Sequence, residues 1–99
     1  MVSQPKIDYT NRLIDESLSE GEDTIELKGK FIGDEGVEAL LLSKKLEYIE
    51  DLDLSNNSIT WRGAVNLFKS DKFKNLKRLY INDNNIGDKG ALALAEAPF

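Results

Sequence analysis

The stretch "DLDLSNN" places Asp51, Asp53 and Ser55 at alternate positions, the spacing with which a calcium loop offers its oxygen ligands. The rest of such a loop is missing. Its sixth position is Asn56 where glycine is required, and its twelfth is Arg62 where a bidentate glutamate is required. Asp51 and Asp53 could instead pair as acid and base, but an open strand provides no cleft to raise a carboxyl pKa. The 99-residue chain has no histidine and no cysteine. That removes the commonest general base, the commonest transition-metal ligand and all thiolate chemistry, and it leaves a serine nucleophile without an imidazole. The expectation is of a chain with no catalytic residues, no metal and no cofactor.

Other residues have the chemistry of recognition. Arg78 and Tyr80 are of the types that tend to dominate interface energies. Trp61, the single tryptophan, either stands on a rim as an anchor or folds back over its own helix. "KSDKFKNLKR", residues 69–78, concentrates lysines but lacks the interleaved stacking aromatics of a nucleic-acid site, and reads as a solvated loop. Asn56–Ser58 matches a glycosylation acceptor; with no apolar leader in "MVSQPKIDYT", it reads as an accident of a turn. Net charge is −5 but uneven. Residues 1–53 carry 14 acidic and 6 basic side chains, a balance of −8, and residues 54–99 carry 4 and 7, a balance of +3. An acidic first half argues against nucleic acid as partner, and no apolar run reaches membrane-spanning length.

What must position these side chains is a repeat. A shift of 27 residues superposes Ile25, Leu52 and Leu79, then Leu27, Leu54 and Ile81. It continues through Lys30, Asn57 and Asn84; Ile32, Ile59 and Ile86; Gly36, Gly63 and Gly90; and Leu40, Leu67 and Leu94. "LDL" and "LYI" alternate in the period of a strand. The asparagine follows where the chain turns, and its amide can donate and accept for the backbone there. Thr60 is an N-cap for the helix of "TWRGAVNLFKS", whose core face carries Ala64, Leu67 and Phe68; the matching face of the next helix is Ala91, Leu94 and Ala95. The recurring glycine inside the helix predicts close approach to the strand layer. Leu46 with Phe73, and Ile49 with Leu76, anchor the return.

These residues, "LDLSNNSITWRGAVNL" and "LYINDNNIGDKGALAL", resemble leucine-rich repeats of the ribonuclease-inhibitor type. The resemblance covers roughly residues 24–97. It implies an α/β fold: a right-handed βα solenoid with about three parallel strands on the concave side and helices on the convex side. It also implies a non-catalytic module that binds a protein partner through the concave face. Strand alternation then predicts the rows of that face: Thr24, Asp51 and Arg78; Glu26, Asp53 and Tyr80; Lys28, Ser55 and Asn82. Asn57 and Asn84 are structural turn residues. Lys30 in the first asparagine slot marks an edge unit whose turn lacks its amide.

The expected organisation is one domain: a capping helix and turn at 1–23, then units at 24–50, 51–77 and 78–99. The helix over Pro5 to about Leu18 starts at Ser3 or Gln4 and covers the open edge of the first strand. With no polar unit after "PF", the last unit leaves apolar surface open, which points either to further repeats or to self-association. A capping or scaffold role in a longer repeat protein is the alternative to partner binding. GTPase regulation is a third, although nothing selects a catalytic residue among Arg12, Arg62 and Arg78. The absence of cysteine fits a cytoplasmic setting.

Overall fold

The computed structural model describes residues 2–21 and 23–97; Met1, Glu22, Pro98 and Phe99 lie outside the described residues, so the expected segments 1–23 and 78–99 are described only within those limits. Helix α1, Gln4–Glu20, starts where Ser3 Oγ accepts a hydrogen bond from the Lys6 amide at 3.4 Å and ends at Gly21. It is a little longer than the apolar spacing alone predicts. It buries Ile14 and packs against the first strand and the helix that follows it.

Three short strands follow at the repeat interval: β1 Thr24–Glu26, β2 Asp51–Asp53 and β3 Arg78–Tyr80. They form one parallel sheet in the order β1-β2-β3, with Ile25 opposite Leu52 and Leu52 opposite Leu79. Parallel neighbours need a crossover between them, and here it is a helix followed by an extended return. The helices are α2 Gly33–Leu41, α3 Trp61–Lys69 and α4 Gly87–Ala95. They stack in sequence order, α2 on α3 and α3 on α4. The core fills the space between sheet and helices. Ile25, Leu27, Leu52 and Leu54 enter from the strands, Ile32 and Ile59 from below the turns, and Leu40, Leu67 and Phe68 from the helices. Leu46, Ile49 and Phe73 close it from the return side. Each such side chain contributes about 1.5–3 kcal/mol by leaving water.

The free edge of β1 is covered by α1. Ser17 Oγ accepts from the Glu26 amide at 2.8 Å and donates to the Thr24 carbonyl at 3.2 Å, so it takes the place of a neighbouring strand. Further up, Tyr9 Oη donates to the Lys30 carbonyl at 2.8 Å.

Three sequence expectations change here. First, α4 does not bury Ala91, Leu94 and Ala95. It buries Gly90 and Ala93 against α3, and Leu94 is 46% exposed because no unit lies beyond it among the described residues. Second, the helical glycine answers to the preceding unit's helix and its own core plug, not to the strand layer. A Cβ on Gly63 would collide with Asp34 Oδ1 and stand 3.1 Å from Ile59 Cγ2. Third, the first turn does not lack an amide. It is served by Asn57 of the next unit, as described below.

Candidate binding face and its asparagine ladder

A strand-to-helix turn leaves backbone amides and carbonyls pointing inward with no ladder partner, and burying them unpaired costs about 1–3 kcal/mol each. Asn57 meets that requirement for the first turn. Its Oδ1 accepts from the Lys30 amide at 2.9 Å and the Ile32 amide at 3.1 Å. Its Nδ2 donates to the Leu27 carbonyl at 2.9 Å and to the Ser55 carbonyl at 3.0 Å. Asn84 repeats the pattern one unit on, accepting from the Asn57 and Ile59 amides and donating to the Leu54 carbonyl, all at 2.9 Å. Each asparagine therefore reaches back to the unit before it. An asparagine at position 30 would find no earlier turn to serve, which is why lysine stands there at no cost to the first turn.

A second inter-unit link is made by Asp34, which the sequence reasoning did not single out. Its Oδ1 accepts from the Thr60 amide at 2.8 Å and the Gly63 amide at 3.1 Å, and its Oδ2 from Thr60 Oγ1 at 2.5 Å. A carboxylate thus sits on the first turn of α3, where the helix dipole also favours it. Gly63 is required so that this carboxylate can come close. The clue in the sequence was the shared slot: Asp34 and Asp88 carry the acid, and Trp61 stands between them in repeat order. Consequently α4 receives no carboxylate from unit 2. Beside Asp34, the Glu35 carboxylate accepts the Ser3 amide at 2.7 Å. That bond holds the Glu35 carboxyl below its ordinary range and fastens the start of α1 to α2.

On this frame the outward strand residues form the expected rows. Thr24, Asp51 and Arg78 lie side by side, as do Glu26, Asp53 and Tyr80. Arg78 Nε lies 2.7 Å from Asp51 Oδ1, a partly exposed pair that contributes only ~0.5 kcal/mol but holds the guanidinium against the sheet. Tyr80 is 47% exposed and has no side-chain hydrogen bond among the described residues. Asp53 Oδ1 accepts the Ser55 amide at 2.9 Å, and Glu26 Oε1 accepts the Lys28 amide at 2.8 Å. The third row is corrected. Ser55 is only 3% exposed, because its hydroxyl turns inward to accept the Asn82 amide at 3.2 Å. Lys28 and Asn82 remain exposed on either side of it. Trp61 is 39% exposed at the start of α3, with Lys89 Nζ 4.4 Å and the Arg62 guanidinium 5.2 Å from its ring.

Residues 45–68 and 74–95 match the family model described as Leucine Rich repeat. These segments are similar to leucine-rich repeats. Both matched segments contain the asparagine, Asn57 or Asn84, and the core isoleucine, Ile59 or Ile86. The first unit lies outside the match, and it is the one with Lys30 in the asparagine slot; its strand and helix nevertheless stack in register with the matched repeats. Comparison with curated proteins and with solved structures gives no match. Within the described residues no helix is long and apolar enough to cross a membrane.

Proposed function

We propose that the chain is a non-catalytic, cytoplasmic recognition module of ribonuclease-inhibitor-like leucine-rich repeats that holds a protein partner on its concave sheet face. Repeats of this kind generally mediate contacts between proteins. The observation that carries the reading is Tyr80. A large aromatic side chain, 47% exposed, stands on the sheet beside the Arg78–Asp51 pair and next to Asp53. About half of its side-chain surface is left to solvent in that position. Elsewhere on the same face Glu26, Lys28 and Asn82 carry charged and polar groups that set orientation more than affinity. A partner with an apolar side chain for Tyr80 and basic groups for Glu26 and Asp53 fits this face. The test is recovery of partners by wild type and by a Tyr80→Ala, Arg78→Ala double variant. The double variant is expected to lose them; full retention of every partner defeats the reading.

A second reading, a stacking role, has its own supporting observation in Asp88. It fills the slot in which Asp34 caps the next unit's helix, yet it is exposed and makes no hydrogen bond among the described residues. The Asn84 and Ile86 amides likewise occupy the places where the two earlier turns receive an asparagine from the following unit. The fitting occupant is a further repeat with asparagine 27 residues after Asn84, the interval seen between Asn57 and Asn84. A second copy stacked head to tail does not fit, because α1 already covers the receiving side of β1. Extension of the chain by one such unit is expected to make Asp88→Ala destabilising where it was neutral before. Equal effects in the extended and unextended chains reject the stacking role.

A further inference from the structure

Helix α1 and the first unit of the sheet enclose a cavity between them. Leu13, Glu16, Ser17 and Glu20 contribute the helix side; spaced at i, i+3, i+4 and i+7, they share one face of α1. Glu26 at the end of β1, Leu27 after it and Lys30 in the turn complete the lining. The space is about 180 Å³. Pockets for free small molecules run to about 300–1,000 Å³, so this one suits a single side chain. Leu13 and Leu27 give it apolar wall. The Ser17 hydroxyl is already committed to the Glu26 amide and the Thr24 carbonyl.

The charges around the cavity do not balance. Glu16, Glu20 and Glu26 face Lys30 as the one lining cation, three carboxylates against one ammonium, a balance of −2. Among the described residues neither Glu16 nor Glu20 has a side-chain hydrogen bond or an ion pair. Lys28 does not line the cavity, and Arg12, one turn before Glu16, lies over the Tyr9 ring. Nor does the fold gain from the two helix acids. They repel each other at i, i+4 spacing. Glu20 is moreover the last residue of α1, whose final turn holds no basic side chain, and that end carries the negative pole of the helix dipole. Carboxylates and dipole add, and the field in the cavity favours a cation.

We infer that this cavity is a specificity pocket of the concave face and takes one arginine side chain of a protein partner. The inference rests on the sheet-face reading, to which Glu26 joins it as a member both of the outward rows and of the cavity lining. The aliphatic stem of the arginine lies against Leu13 and Leu27. Its guanidinium offers five donors in a planar fork, which can meet several carboxylates at once. Lysine brings only a point charge. A metal ion fits less well still, because among the described residues no group of three such side chains is placed to hold one; the larger guanidinium does not need them to converge on a point.

The test is an NMR titration of the chain at low salt with the blocked tripeptide Gly-Arg-Gly, and with Gly-Gln-Gly as the neutral control. Saturable shifts are expected at the amides of Glu16, Ser17, Glu20, Glu26 and Leu27, in the millimolar range, and none with the glutamine peptide. The double variant Glu16→Gln, Glu20→Gln weakens binding about fivefold, the worth of two exposed ion pairs. Lys30→Met removes the competing cation and strengthens it about twofold. None of these side chains is bonded within the fold, so thermal unfolding of the variants matches wild type. The inference is overturned if the arginine and glutamine peptides shift the same amides alike, if the shifts spread over the surface without saturating, or if the double variant binds as wild type does. Saturation of the same amides by calcium chloride with no response to the arginine peptide overturns it in favour of an ion site. The Tyr80→Ala, Arg78→Ala variant leaves the tripeptide affinity unchanged, so the sheet-face reading and this pocket can fail separately; loss of tripeptide binding in that variant also overturns the inference.

Discussion

Replacement of Asn57 by alanine tests the ladder most directly. The side chain is buried and makes four hydrogen bonds to backbone groups, three in buried surroundings and one, to the Lys30 amide, partly buried. Removing the amide leaves the Ile32 N–H and the Leu27 carbonyl without the partner they have in the turn, while the Ser55 carbonyl keeps its bond from the Gly29 amide. At about 1–1.5 kcal/mol for each bond, the loss is about 4 kcal/mol. A domain of 99 residues has a total stability of roughly 5–15 kcal/mol, so the variant keeps a native state with little margin. The expected fall in Tm is about 20 °C, from roughly 4–8 °C for each kcal/mol in a chain of this size. Urea unfolding followed by circular dichroism measures it, with an unchanged m value showing that the two end states are the same. Amide hydrogen exchange should also show Lys30 and Ile32 losing protection. The converse substitution Lys30→Asn restores the repeat pattern at its one exception, yet no earlier turn exists for it to serve. Its effect should stay within about 0.5 kcal/mol. A cost below about 1.5 kcal/mol for Asn57→Ala, or a stabilisation above about 1 kcal/mol for Lys30→Asn, refutes the view that each asparagine acts backward on the preceding unit.

Gly63→Ala should destabilise by about 2 kcal/mol although alanine is the better helix former by about 1 kcal/mol, because its Cβ displaces Asp34; chemical denaturation reads the sign. Asp34→Ala should cost about 2–3 kcal/mol through three lost charge-assisted bonds to Thr60 and Gly63, and helix α3 should show faster amide exchange at its first turn. Glu35 has a folded pKa lowered from 4.5 by the Ser3 amide. Its contribution is therefore present above that ordinary value and is lost as pH falls through the lower, folded value. In an acid titration followed by NMR, the start of α1 should loosen in that window, and Glu35→Gln should loosen it at neutral pH without further change on acidification.

The 27-residue period was legible because strand, turn and helix each leave a pattern set by nearby residues. Alternation marks "LDL", an amide marks the turn, and Ala64, Leu67 and Phe68 recur at helical spacing. The same period carried the register of the sheet, since stacked copies align like with like. Ser55 shows where that reasoning stops. Alternation places it outward, but its hydroxyl is short enough to turn in and accept the neighbouring strand's amide, a choice made by a residue 27 positions away. The capping role of Asp34 was equally hidden, because its three donors lie 26 to 29 residues along the chain and meet it only when units stack. Leu94 repeats Leu67 letter for letter and is half exposed, since burial depends on what lies beyond a residue and not on the residue. By itself the sequence determined the repeating unit, its core and the side chains that break the copy. The tertiary structure decided the direction in which Asn57 and Asn84 reach and where Ser55 and Asp34 find their partners, because each of these is a relation between units that no single unit contains.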